Sequence, residues 1–191
     1  MTSNWYEQDY QGNSGANRPV TKLSGTDIEI IHRPESTRSP QYVLFDFDGT
    51  LSLVREGWPE VMVPLMVEEL AKTASGETHD ELHKLAYEFV MQLNGKQTIY
   101  QMIRLCEEVE KRQGTPDEPL VYKQRYHVRL MAKISERRDA LRQGRVPADS
   151  MLVPYSRKLL DQLQERGVQL YLASGTDEDY VREEVELLQL D

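Results

Sequence analysis

Apolar and polar residues recur along this chain with two different periods. From Pro59 onward the period is helical. Val61, Met62, Leu65, Met66 and Leu70 fall at three-and-four spacing, and Leu82, Leu85, Ala86, Phe89, Val90 and Leu93 share one face of a helix predicted over 79–93. A third helix is expected from Thr98 to Gln113, ended by Gly114, and a long fourth from Pro119 to about Gln143, ended by Gly144. A fifth, Pro154 to Arg166, carries Leu159, Leu160 and Leu163 on one face and closes at Gly167. Two short apolar runs break the helical period. Tyr42 to Asp46 and Val168 to Ala173 both read as buried strands, and a helix from about Asp177 to Leu188 follows the second. Before them, Asp27 to Ile31 is a candidate short strand and Pro34 to Pro40 a loop. Met1 to about Pro19 is polar, turn-rich and without period, so a disordered tail is expected there.

The order of these elements implies an α/β architecture. The helix and strand over 154–173 resemble the close of a parallel crossover, a unit of roughly 30 residues. Asp48 lies several times that distance from the second strand, so the excess reads as an inserted helical domain between two strands of a parallel sheet. The expected division is a tail at 1–40, a partial core at 41–51 and 147–191, and a helical cap at 52–146. Ligands of such sheets bind beyond the carboxyl ends of the strands. The insertion leaves from that end, where it can act as a lid.

Composition narrows the class. The chain has 191 residues, mean hydropathy −0.63 and a formal charge of −9. No apolar run approaches the length of a membrane span, and the acidic balance argues against a sequence-independent nucleic-acid binder, which needs a basic face. Cys106 is the single cysteine, so no internal disulfide forms and a reducing, cytoplasmic setting is expected. Its place in an apolar stripe with Ile103 and Val109 marks it as a small core residue.

The chemistry concentrates where the strands end. Asp46 and Asp48 stand one residue apart, followed by Gly49 and Thr50, which are poor strand residues. With a side-chain period of two, both carboxylates start on one side and repel each other unless a cation lies between them. Oxygen ligands suit a hard ion. Asp46 can attack phosphorus, and Asp48 can give a proton to the leaving oxygen and later take one from water. Gly49 lets the backbone turn beneath a phosphate, Thr50 can cradle its oxygens, and Ser174 with the amides after it offers a second anion site.

Phe45-Asp46-Phe47-Asp48-Gly49-Thr50 resembles the first motif of the haloacid dehalogenase superfamily of phosphohydrolases, and Ala173-Ser174-Gly175-Thr176 resembles its second. The helical insertion resembles the cap of the phosphoglycolate phosphatase and β-phosphoglucomutase-like branch. The resemblance spans about Gln41 to Asp191. It implies a Rossmann-like core and Mg2+ as cofactor, with Asp46 as nucleophile and metal ligand. It also implies Asp48 as general acid/base with its carbonyl on the metal, and Ser174, Gly175 and Thr176 at the phosphate. The family's third-motif lysine and fourth-motif acids are not seen before Asp191. The expectation is therefore a fragment of a longer protein, or a chain whose sheet a partner completes.

Further candidates have plainer readings beside them. Arg55 and Trp58 after the first motif, and Lys96 and Gln97 in the Asn94–Gln97 turn, are substrate-contact candidates, with Gly57 a hinge for closure. His79 and His83 have helical spacing for a metal pair but read as a solvated face, because Asp80 stands where the zincin pattern needs Glu. His32 and His127 show no evident partners. Arg137, Arg138 and Arg142 to Arg145 read as solvated surface. Thr176 with Asp179 also makes an acceptable capping box, the bland explanation of the second motif. The expected activity is a magnesium-dependent phosphatase of small phosphorylated metabolites. The alternatives are a sugar phosphomutase with the same aspartyl-phosphate intermediate and a catalytically incomplete binding module.

Overall fold

A computed structural model describes residues 21–30 and 39–191. Two units separate at Ser39. In the first, β1 (Thr21–Lys22) and β2 (Glu29–Ile30) pair antiparallel, Thr21 opposite Ile30. The expected strand over 27–31 is thus shorter and has a partner that the sequence pattern did not reveal. The expected disorder of residues 1–19, the loop of residues 34–38 and His32 lie outside the described residues.

The second unit holds β3 (Tyr42–Asp46), α1 (Pro59–Leu70), α2 (His79–Gln92), α3 (Thr98–Lys111), α4 (Pro119–Arg142), α5 (Ser156–Glu165), β4 (Gln169–Ala173) and α6 (Glu178–Leu187). A single 3-10 turn at Ala148–Met151, unforeseen in the sequence, precedes α5. Each helix forms for local reasons. Pro59 opens α1, whose missing N–H costs nothing at a helix start, and α1 is apolar almost all round, which makes it the central helix. Thr78 and Glu81 close a capping box at α2, the Thr78 N–H reaching the Glu81 carboxylate at 2.8 Å. In α4 every fourth residue from Tyr122 through Tyr126, Leu130, Ile134 and Arg138 is buried.

The four helices share one core. Leu65, Met66 and Leu70 of α1 meet Ala86, Phe89 and Val90 of α2, Met102 and Leu105 of α3, and Leu130 and Ile134 of α4 in one buried cluster. Cys106 packs half-buried at its margin, and burial pushes its thiol up to about 11. Salt bridges lace α4 to its neighbours: Arg129 to Glu68 at 2.7 Å and Lys133 to Glu60 at 2.6 Å on α1, and Arg142 to Glu183 at 2.7 Å on α6.

β3 and β4 pair in parallel from Tyr42 opposite Gln169 to Asp46 opposite Ala173. The parallel pairing agrees with the crossover reading. Their burial does not agree. Both strands were expected to be buried, yet Leu44 is 67% exposed and Tyr171 52% exposed. Among the described residues no further strand joins this pair, so much of its surface lies open. The segments entering and leaving the helical region run side by side. Leu53 N–H donates to the Met151 carbonyl at 2.8 Å, and Val153 N–H to the Leu51 carbonyl at 2.9 Å. Among the described residues no helix is long and apolar enough to cross a membrane.

Candidate active site

The end of β3 turns sharply. Phe47 is fully buried and anchors the turn, its carbonyl accepting from the N–H groups of Thr50, Leu51 and Ser52. Gly49 takes φ +78°, a left-handed conformation that costs a residue with a Cβ more than glycine. Because Phe47 points into the core, Asp46 and Asp48 on either side of it face the other way. Both line a cavity of about 90 Å3, together with Arg55, Lys96, Gly175 and Thr176. The second motif meets the first there because β4 lies beside β3 in register.

Asp48 is the more constrained acid. Its Oδ2 accepts from Thr176 Oγ1 at 3.0 Å, and its Oδ1 lies 3.7 Å from Arg55 Nε. Oδ1 is buried and has no hydrogen-bond partner among the described residues. Burial raises the Asp48 carboxyl above its usual range. Arg55 opposes this, Glu184 adds to it, the Thr176 bond opposes it and nearby Asp46 adds to it. Asp46 is exposed, and Thr50 Oγ1 donates to its Oδ2 at 3.4 Å.

The helical region supplies the opposite wall. Trp58, Met62, Tyr126 and Leu130 line it, and the Asn94–Lys96 turn borders it. Burial pushes the Tyr126 hydroxyl far above its ordinary range, so it stands there as a neutral phenol. The turn sits directly against the second motif. A Cβ built on Gly175 would come within 2.8 Å of the Lys96 carbonyl oxygen, so only glycine allows this approach. Gln97 contributes its backbone to the same contact, 3.4 Å from that Cβ position.

Several expected contributors stand elsewhere. Gly49 and Thr50 shape the turn without lining the cavity. Ser174 accepts from the Thr176 N–H at 3.1 Å, which uses one of the amides expected to bind an anion. It borders a separate concavity of about 570 Å3 between β4 and α6. The capping-box reading of Thr176 fails. Asp177 is the N-cap of α6 and makes no side-chain capping bond, and the Thr176 hydroxyl serves Asp48 and Arg55 instead. Asp177 pairs with Lys123 at 2.6 Å. His127, read as having no evident partner, packs against Tyr180 with the rings tilted by 35° and centroids 4.1 Å apart. Of the arginines read as solvated surface, Arg142 and Arg145 are exposed, whereas Arg138 is buried against Glu183 and Arg137 donates to the Glu56 carbonyl at 2.7 Å. His79 and His83 are exposed on α2.

Sequence reasoning missed Glu184. It is fully buried in α6 between Val181 and Leu188, both also buried. An acid within the apolar stripe of an amphipathic helix was the available signal, because such a group stays buried only with a partner. Its partner is Arg55.

The donor set bears on a metal. Among the described residues no three His, Cys, Asp or Glu side chains converge as a metal cage. A cation that keeps several waters and takes one or two carboxylates plus a substrate phosphate needs no such cage, and magnesium is of that kind. The two aspartates at one cavity, Asp46 with an exposed carboxylate, fit it. A family model described as haloacid dehalogenase-like hydrolase matches residues 40–191. No curated protein matches the chain.

Proposed function

The chain belongs to the haloacid dehalogenase-like hydrolases, and from that premise we propose that it is a phosphatase of small phosphorylated metabolites working through an aspartyl-phosphate. The observation that supports this most is the meeting of Asp46, Asp48, Gly175 and Thr176 at one cavity, at the carboxyl ends of two parallel strands. In this reading α1–α4 are a cap. Their entering and leaving segments run together, and the Asn94–Lys96 turn rests on Gly175. The cavity of about 90 Å3 favours a compact leaving group, since pockets for drug-sized ligands begin at roughly 300 Å3.

The residues divide the work. An Asp46 carboxylate oxygen bonds to phosphorus as the ester P–O bond breaks. The Asp48 proton passes to the departing oxygen, which leaves as an alcohol. Asp48 then accepts a proton from water as that water attacks phosphorus, and Asp46 and phosphate are released. The raised position of the Asp48 carboxyl suits the acid role. Magnesium would be held by the Asp46 carboxylate and the Asp48 main-chain carbonyl. When bound it offsets negative charge on the phosphoryl oxygens.

The test is Asp46→Asn, assayed for release of inorganic phosphate from phosphate monoesters with magnesium. Loss by a factor of about 1,000 or more is expected, because an amide is a poor nucleophile and the two-step route closes. Retained turnover would rule out the assignment.

A further inference from the structure

We propose that Arg55 is a positioning residue for Asp48, holding the carboxyl in the orientation from which it serves the leaving group, and that buried Glu184 holds Arg55. The inference rests on the phosphatase reading above. Its basis is a closed chain of contacts joining the first motif, the second motif and α6. Arg55 Nε lies 3.1 Å from both Glu184 carboxylate oxygens, and Nη2 donates to Oε1 at 2.9 Å. Arg55 is 6% exposed and Glu184 is fully buried. Burial works against the arginine charge, but the Glu184 bonds outweigh it and keep the guanidinium ionised. One negative carboxylate matches one guanidinium, which disfavours Arg55 as a substrate-phosphate ligand.

The direction of the hydrogen bonds then follows from donor chemistry. Arginine can only donate, so Arg55 Nη1 at 3.2 Å donates to Thr176 Oγ1. The Thr176 hydroxyl has one proton, and it is therefore aimed at Asp48 Oδ2, 3.0 Å away. Oδ2 is fixed as an acceptor. Oδ1 is buried and has no hydrogen-bond partner among the described residues. Arg55 Nε, 3.7 Å from Oδ1, is too far for a hydrogen bond but close enough to keep the carboxyl from turning away.

The experiment compares wild type, Arg55→Lys and the paired variant Arg55→Met/Glu184→Met. The pair removes both buried charges together, because removing one leaves the other uncompensated and endangers folding. Each protein is assayed with magnesium on phenyl phosphate, whose leaving group needs a proton, and on 2,4-dinitrophenyl phosphate, whose leaving group departs without one. In the paired variant kcat/KM, which reports the steps up to aspartyl-phosphate formation, is expected to fall about tenfold or more on phenyl phosphate and less than about threefold on the dinitrophenyl ester. Arg55→Lys keeps the charge without the fork and is expected to fall between. An equal fall in kcat/KM on both esters overturns the proposal. A crystal structure of the paired variant gives a readout independent of turnover. The Asp48 carboxyl should leave Thr176, and an unmoved Asp48 overturns the proposal. If wild type cleaves neither ester, the phosphatase reading fails, while the crystal structure still decides the positioning.

Discussion

The helical region and the strand pair are built on different principles. Leu65, Met66, Met102, Leu105 and Ile134 are fully buried among four helices, whereas Leu44 and Tyr171 of the strands are more than half exposed. The stripes of α1–α4 are covered by one another. The strands have α5 packed against β4 but stay largely open, yet they carry the aspartates and the second motif at their ends. The difference separates two jobs: apolar burial gives the helical region its stability, while the site is held in geometry by polar ties. Phe47 anchors the turn, Thr176 holds Asp48, Glu184 holds Arg55, and Arg137 ties α4 to the turn's exit through the Glu56 carbonyl.

Truncation is the strongest way to break this contrast. Leu65→Ala should cost about 2–5 kcal/mol, because the buried side chain leaves a cavity, while Leu44→Ala should stay within about 0.5 kcal/mol. Urea unfolding of both variants checks it. A large loss at Leu44 would mean that the exposed strand face is covered in solution. Gly175→Ala sharpens the contrast at the junction. Its Cβ collides with backbone, the Lys96 carbonyl, which cannot swing aside as a side chain can. Stability should fall by about 1–3 kcal/mol as the turn lifts. Turnover of a phosphate monoester should fall roughly ten- to a hundredfold from the misplacement. Unchanged kinetics would show that the turn's contact with the second motif has no part in the reaction.

The smallest effect concerns pH and belongs to the helical region. Arg112 bonds the Glu77 carboxylate at 2.7 Å and the Glu108 carboxylate at 2.8 Å. Its bonds hold Glu77 below the ordinary value of 4.5. Glu108 is also held below it: burial works the other way, but the bonds from Lys111 and Arg112 prevail. A carboxyl with a depressed folded pKa stabilises fully above its unfolded pKa and loses that contribution as pH falls through the folded one. The midpoint of urea unfolding should therefore drop between about pH 5 and pH 3, and the drop should be shallower in Arg112→Met. Equal slopes would remove this pair from the acid response.

Much of this was legible in the chain. The helices from Pro59 to Arg142 followed from three-and-four spacing, bounded by Pro59, Pro119, Gly114 and Gly144, because local periodicity and caps are sequence-near signals. The adjacency of Asp46 with Thr176 followed from two motifs at two strand ends. What was hidden depends on distant partners. An apolar run signals a strand but not whether its faces are covered, so Leu44 and Tyr171 were misread as buried. Runs of charge look solvated until the opposing acid is known, as Arg138 and Glu183 show. Thr176 was ambiguous because a cap and a carboxyl partner need the same hydroxyl. Glu184 was overlooked, although an acid between Val181 and Leu188 demanded a buried cation.

The most direct test of the central claim is mass spectrometry of the protein quenched during turnover of a phosphate monoester with magnesium. A phosphoryl group carried on the peptide containing Asp46, absent in Asp46→Asn and decaying as phosphate appears, is the expected result. Turnover with no phosphoryl adduct on that peptide at any time, or an adduct on a different residue, would contradict it.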